Sequence, residues 1–133
     1  MSQNVEILGD VFTRFQEGDR DSWRERIDPD VIWDVSATAL PGAGVYRGHA
    51  GVERFFVEWL GAWESPTVEN LEMIDAGDSV VSVFRWAGRG RTSGVRTQRD
   101  FFAVYDFRDG RIVRYRGFDT RAEALEAAGL RQD

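Results

Sequence analysis

Apolar residues recur at helical spacing in two stretches of the chain, and each stretch predicts an amphipathic helix. In the first stretch the apolar positions are Val5, Leu8, Val11, Phe12 and Phe15. They predict a helix over 4–17 that ends at Gly18. In the second stretch the positions are Val52, Phe55, Phe56, Trp59, Leu60 and Trp63, which predict a helix over 49–63. Between the two, Asp21 and Ser22 can cap a short helix that stops at Asp28-Pro29.

Strand-like segments make up most of the remaining chain. They are rich in β-branched and aromatic residues and are bounded by turn residues, which predicts strands over 31–35, 67–75, 79–87, 99–107 and 111–118. The turn Arg108-Asp109-Gly110 joins the last two as a hairpin. A capping box of Thr120 with Glu123 starts a final short helix that ends at Gly129.

Side chains in a strand alternate between two faces, so the run 99–107 can be divided into two sets. One face carries Arg99, Phe101, Ala103, Tyr105 and Phe107, and the other carries Asp100, Phe102, Val104 and Asp106. Both faces hold large apolar groups, so we expect both to be covered. The order of elements predicts a single α+β domain over 1–133, with helices gathered on one face of an antiparallel sheet.

Composition narrows the class of partner. The chain is 42% hydrophobic and holds nine Phe, five Trp and three Tyr, which suggests a core or pocket with flat, bulky walls. A net charge of −6 disfavours nucleic acid and anionic membranes as partners. No apolar run is long enough to span a bilayer, and the N-terminus lacks the regions of a signal peptide, so a cytoplasmic location is expected.

The chain lacks the residues that several types of enzyme reaction require. All 17 basic residues are arginine and there is no cysteine, so neither a lysine Schiff base nor a cysteine nucleophile is available. The lack of lysine also suggests a GC-rich bacterial genome. His49 is the one histidine, we expect it on the surface of its helix, and no spacing suits a zinc or calcium site. No cofactor and no metal are therefore predicted.

Five segments, in order, resemble the SnoaL-like branch of the nuclear transport factor 2-like superfamily: FQEGDRDSWRERIDPDVIWD, YRGHAGVERFFVEWLGAW, DAGDSVVSVFRWAGRG, FRDGRIVRYRGF and RAEALEAAGL. The resemblance implies a curved antiparallel sheet that wraps around helices to form a cone, with a deep apolar pocket. This cystatin-like fold serves isomerases, hydrolases, polyketide cyclases and members without chemistry, so it implies no single function.

The resemblance also assigns residues. The general base of ketosteroid isomerases falls on Asp34, but their two oxyanion donors fall on Val11 and Ala103. The arginine and aspartate of limonene epoxide hydrolases fall near Phe84 and Trp86. Their last acid, like that of SnoaL-type polyketide cyclases, falls on Gly117. Each of these three active sites is therefore incomplete in this chain.

Asp34 is the candidate catalytic residue. Burial under an aromatic cavity would raise the pKa of its carboxyl group towards the range useful for proton transfer. Alternatively, Asp34 only hydrogen-bonds the backbone of the loop over 36–45. The candidate substrate-binding residues are Phe15, Trp33, Phe56, Trp59, Trp63, Phe84, Trp86, Arg99, Phe101, Tyr105 and Tyr115. Arg99 can instead form a structural ion pair, and the aromatic residues can simply be core.

Two classes of function stay open. One is a cofactor-free acid–base enzyme, such as an isomerase, cyclase, dehydratase or hydrolase, that acts on a hydrophobic small molecule. The other is a non-catalytic module of the same fold that binds a small molecule or dimerises. In both cases the outer sheet face with Phe102 and Val104 predicts a homodimer.

Overall fold

The computed structural model describes residues 3–19, 21–40 and 42–130. The helices are α1 (Gln3–Gln16), α2 (Gly48–Gly61) and α3 (Arg121–Ala127), with a short 3-10 helix at Ser22–Glu25. The strands are β1 (Ile27–Asp34), β2 (Val45–Arg47), β3 (Trp63–Asp75), β4 (Ser79–Gly90), β5 (Arg96–Arg108) and β6 (Arg111–Phe118). The predicted α+β class is confirmed.

One six-stranded sheet, in the order β2-β1-β6-β5-β4-β3, forms the body of the domain. All neighbouring strands are antiparallel except β1 and β6, which run parallel, so the expected all-antiparallel sheet is corrected to a mixed one. The long chain between β1 and β6 makes this possible, because a parallel pair needs a crossover connection and cannot be closed by a tight turn. The hairpin between β5 and β6 turns at Asp109 and Gly110, which both have positive φ as this turn requires.

The two faces of the sheet are covered by different helices. The inner face meets α1 and α2 and forms the main core, in which Leu8, Val31, Val52, Ala103 and Ile112 are at most 2% exposed. The outer face meets α3, whose Ala124 and Leu125 cover Val81 and Val104. The alternation predicted for 99–107 is confirmed, since Phe101, Ala103, Tyr105 and Phe107 all belong to the main core.

Some boundaries differ from the sequence-based prediction. The Asp28-Pro29-Asp30 segment lies inside β1, whereas the short helix was expected to stop at Asp28-Pro29 and the strand to begin at residue 31. It falls where the register between β1 and β6 shifts, and β2 pairs only with residues 32–34, so proline breaks no ladder there. The sequence did not predict the three-residue strand β2, which begins at the end of the loop over 36–45. It is too short to give an alternating pattern.

The predicted helix over 49–63 ends earlier, at Gly61, and Trp63 opens strand β3. Ser65-Pro66 lies within β3, although the strand was predicted only from residue 67. A register shift between Glu64 and Thr67 accommodates it, and β3 is an edge strand, where proline is tolerated. The final helix starts as predicted, because the Thr120 side chain accepts the backbone N–H of Glu123 at 3.2 Å.

Candidate functional site

A cavity of about 310 Å³ lies between the inner face of the sheet and the helices α1 and α2. Its wall is almost wholly apolar. Helix α1 contributes Leu8, Val11, Phe12 and Phe15, and α2 contributes Val52, Phe55, Phe56, Val57, Trp59 and Leu60. The sheet side is formed by Ile27, Trp33, Val35, Val68, Phe84, Trp86, Phe101, Tyr105, Ile112 and Tyr115, and Trp23 and Leu40 complete the apolar wall.

Most of the predicted ligand-binding residues lie in this wall, either on the inner face of the sheet or on the helices α1 and α2 that cover it. The wall includes Phe15, Trp33, Phe56, Trp59, Phe84, Trp86, Phe101, Tyr105 and Tyr115. Many of these rings meet edge to face, for example Phe15 with Trp86 at 5.8 Å and Trp59 with Phe101 at 5.6 Å between ring centres. Edge-to-face contact is a geometry that aromatic pairs favour, so these rings support one another across the wall.

The structure corrects the expected position of Asp34. Its neighbours Trp33 and Val35 face the cavity, and because side chains alternate along a strand, Asp34 faces the other side of the sheet. Its carboxylate accepts hydrogen bonds from the backbone N–H of Ser36 at 2.9 Å and from the Ser36 hydroxyl at 2.5 Å. This is the turn-stabilising arrangement that the alternative interpretation described.

Trp63 and Arg99 also lie outside the cavity wall. Trp63 opens β3 instead of ending α2, and it packs on Trp59 with 5.6 Å between ring centres. The Arg99 guanidinium lies 3.7 Å from a carboxylate oxygen of Asp119, in the structural ion pair that was the alternative for this residue. His49 is partly buried, not on the surface as expected, and its Nε2 lies 2.7 Å from the carbonyl oxygen of Ile27.

Only four ionisable side chains reach the cavity wall among the described residues: Arg24, Glu53, Tyr105 and Tyr115. Arg24 and Glu53 form an ion pair of 3.2 Å, and their side chains are 36% and 58% exposed, so this pair marks the solvent side. The two tyrosines are 6% and 7% exposed. Among the described residues, the deep part of the cavity therefore holds no group that carries charge at neutral pH.

Burial raises the pKa of both tyrosines, and the nearby Tyr115 hydroxyl adds to the shift for Tyr105. Both phenols consequently stay protonated well above the pH at which a free tyrosine ionises. They are weak acids that can donate a hydrogen bond to a ligand, but they cannot act as bases near neutral pH.

The raised pKa values predict that the protein loses stability in alkali. A buried tyrosine binds its proton more tightly in the folded state, so its stabilising contribution is complete below pH 10, the ordinary tyrosine value, and is lost as the pH rises towards the folded pKa. Each tyrosine should lower the free energy of unfolding by up to about 1.4 kcal/mol per pH unit in that window. The chain has no lysine or cysteine to obscure the effect.

Urea unfolding at several pH values above 9 measures this dependence. The Tyr105→Phe and Tyr115→Phe variants should each show a shallower loss than the original chain. An equal slope in all three proteins would mean that these tyrosines are accessible to solvent.

Three further observations concern residues assigned through the resemblance. Val11 lies in the cavity wall and Ala103 is fully buried on the inner face, so neither position supplies a donor. At Gly117 an added Cβ would lie 3.2 Å from the Thr38 methyl group and 3.4 Å from the Tyr115 hydroxyl, which leaves little room for an acid. No cluster of three or more histidine, aspartate or glutamate side chains suits a metal within the described ranges.

Sequence reasoning missed several aliphatic wall residues, among them Val35, Leu40, Val52 and Val68. Val52 belongs to the apolar stripe of α2, and Val35 shares the strand face of Trp33, so periodicity alone would have found these two. Leu40 lies in the loop after β1, where no repeating pattern exists.

No helix of the described chain has both the length and the apolar character required to cross a bilayer.

Comparison with known proteins gives the family. The model of the SnoaL-like domain matches residues 8–115. The uncharacterised protein YesE of Bacillus subtilis (strain 168) is 25% identical over 129 residues, which cover 93% of this chain and 86% of YesE.

Solved structures show the same fold. A nuclear transport factor 2-like protein of unknown function from Burkholderia pseudomallei K96243 superimposes with a TM-score of 0.79 at 22% identity, over 95% of this chain and 97% of that chain. TerC, crystallised with polyporic acid, superimposes with a TM-score of 0.76 at 22% identity, over 96% of this chain and 99% of TerC. With its mixed sheet, its enclosed inner face and the match over residues 8–115, this chain belongs to the SnoaL-like domain family.

Proposed function

We propose that the chain binds a neutral, largely aromatic small molecule in the cavity between the sheet and helices α1 and α2. The observation that carries this proposal is the open volume of about 310 Å³ behind an apolar wall. Folded interiors are normally close-packed, and a space of this size lined by rings falls within the range of small-molecule sites. A ligand that fills it would bury apolar surface and recover the dispersion contacts that the wall residues lack.

The chemistry of the wall supports a neutral ligand. Arg24 is the one cation of the wall within the described chain, and it is already paired with Glu53. A charged group placed deeper would lose its hydration without a partner, which costs several kcal/mol. An aromatic ligand is favoured by the many edge-to-face ring contacts, which a further ring can extend. The fold of TerC, crystallised with polyporic acid, is consistent with such a ligand.

A cofactor-free acid–base enzyme is the second candidate, and the specific observation in its favour is the pair of buried phenols. Tyr105 and Tyr115 can polarise a ligand oxygen as neutral hydrogen-bond donors. Glu53 is the one carboxylate in the wall among the described residues. A catalytic role of Asp34, one of the two alternatives left by the sequence, requires its carboxylate to leave Ser36 and reach the inner face.

Calorimetric titration with 2-isopropenylnaphthalene, an uncharged hydrocarbon, tests the binding function. We expect saturable binding of one molecule per chain with a negative heat-capacity change, because apolar surface is removed from water. Binding without saturation, or no binding at the solubility limit, would contradict the proposal. The probe carries no hydrogen-bond acceptor, so the result depends on the cavity alone.

The homodimer and the cytoplasmic location stay predictions. The outer face is less apolar than the sequence suggested, since α3 covers Val104, and Arg85 pairs with Asp100 at 2.7 Å on the same face. Phe102 is only partly buried there and remains the residue most suited to a contact with a second copy.

A further inference from the structure

Three aromatic residues with polar atoms are clustered in the apolar wall of the cavity. The Trp33 indole stacks on the Tyr115 ring, with 4.2 Å between ring centres and 8° between planes. Tyr105 meets Tyr115 at 5.0 Å and Trp33 at 6.3 Å, edge to face in both cases. We call Trp33, Tyr105 and Tyr115 the donor cluster.

The polar atoms of the donor cluster have no hydrogen-bond partner in the described part of the chain. Trp33 is 5% exposed, and its Nε1 is buried without an acceptor. Tyr105 and Tyr115 line the open cavity, and no other group among the described residues forms a hydrogen bond with their hydroxyls. Buried polar groups are almost always hydrogen-bonded, because an unmet group costs about 1–3 kcal/mol. Among the described residues, the two hydroxyls therefore lack a partner beside open cavity space, which indicates that a molecule in the cavity meets them.

The missing hydrogen-bond partner of the two phenol O–H groups has to be an acceptor atom. An indole N–H only donates, and a neutral phenol donates one hydrogen. The other deep side chains among the described wall residues are aliphatic groups, phenylalanines and tryptophans, none of which carries an acceptor atom, while the Glu53 carboxylate lies at the solvent side in its pair with Arg24. An anionic acceptor is disfavoured there, because no cation among the described wall residues is free to compensate for its desolvation.

We propose that the donor cluster recognises a neutral carbonyl oxygen on the aromatic ligand, with the hydroxyls of Tyr105 and Tyr115 as donors. Trp33 positions Tyr115 through the stacked contact. This inference rests on the proposed binding function and adds the substrate class: aromatic ketones, quinones and related carbonyl compounds over hydrocarbons of the same shape.

A pair of matched probes separates the two claims. 2-Acetylnaphthalene and 2-isopropenylnaphthalene have the same shape and differ in a carbonyl oxygen against a methylene group. The original chain should bind the ketone about two- to tenfold more tightly per hydrogen bond formed. In Tyr105→Phe and Tyr115→Phe the ketone should lose about that factor, while the hydrocarbon should bind equally well or better.

An infrared readout distinguishes a hydrogen bond from a better fit. The carbonyl stretch of bound 2-acetylnaphthalene should lie at lower frequency in the original chain than in the double variant Tyr105→Phe with Tyr115→Phe. Tyr46→Phe is the matched control, since its hydroxyl donates to the Gly42 carbonyl at 2.7 Å and lies outside the cavity wall. The Tyr46→Phe variant should change neither the ratio of the affinities for the two probes nor the frequency of the bound carbonyl stretch.

The possible outcomes are distinct. If both probes bind with the same affinity, and the phenylalanine variants change neither, the donor cluster does not recognise oxygen and only this inference is wrong. If neither probe binds the original chain, the binding function itself is wrong. Thermal unfolding of ligand-free Tyr105→Phe and Tyr115→Phe serves as a folding check, and both should be at least as stable as the original, because each loses an unmet hydroxyl.

Discussion

Replacement of Leu60 by tryptophan should lower the affinity for 2-isopropenylnaphthalene by about 50- to 100-fold. Leu60 lies in the cavity wall on α2, so the larger indole occupies space that the ligand needs. If the indole excludes about 100 Å² of apolar ligand surface at roughly 25 cal/mol per Å², the loss is about 2.5 kcal/mol. Calorimetric titration of the variant measures the effect directly.

Leu71→Trp is the matched control for this prediction. Leu71 is 41% exposed on the edge strand β3 and lies outside the cavity wall. The Leu71→Trp substitution makes the same chemical change without filling the cavity. The affinity of this variant for 2-isopropenylnaphthalene should therefore equal that of the original chain. The account fails if Leu60→Trp binds as well as Leu71→Trp while circular dichroism shows both variants folded.

Replacement of Trp33 by alanine should reduce the free energy of unfolding by about 3–5 kcal/mol. Trp33 is 5% exposed and touches the rings of Phe56, Tyr105 and Tyr115. It also lies in β1, which β2 and β6 flank on either side. Its removal would join a new void to the existing cavity, so the surrounding structure cannot easily collapse into the space. For a domain of ordinary stability this is a large share of the total.

Urea denaturation measures this loss, with Trp63→Ala for comparison. Trp63 is only partly buried at the start of the edge strand β3, and its truncation should cost clearly less. Trp33→Phe should fall between the original and Trp33→Ala, because a benzene ring keeps part of the stacked contact. A smaller loss for Trp33→Ala than for Trp63→Ala would show that the donor cluster does not stabilise the inner face.

Periodicity in the sequence predicted the parts of the fold that depend on local pattern. The apolar stripe of α1 and the alternation along β5 depend only on which residues face inwards, and both were found at the expected positions. The parallel pairing of β1 with β6 could not be predicted in this way. It joins segments that are distant in the chain and leaves no local signal.

Side-chain direction decided which site residues were placed correctly. Phe101 and Tyr105 follow from the alternation of a long strand. Asp34 lies at the last position of β1, where the resemblance suggested a base, but the face it occupies depends on the preceding residues of that strand. Trp63 fits the helical stripe by spacing, yet the chain changes from helix to strand after Gly61, so spacing alone gave the wrong element.

The most direct measurement of the central claim is a titration of the protein, labelled with 15N on its tryptophan indoles, with 2-acetylnaphthalene. Trp23, Trp33, Trp59 and Trp86 lie in the cavity wall and Trp63 does not. We expect saturable shifts of the indole N–H signals of the four wall residues, with a much smaller change at Trp63. Unchanged signals, or equal shifts that grow without saturation, would mean that the cavity does not bind the ligand.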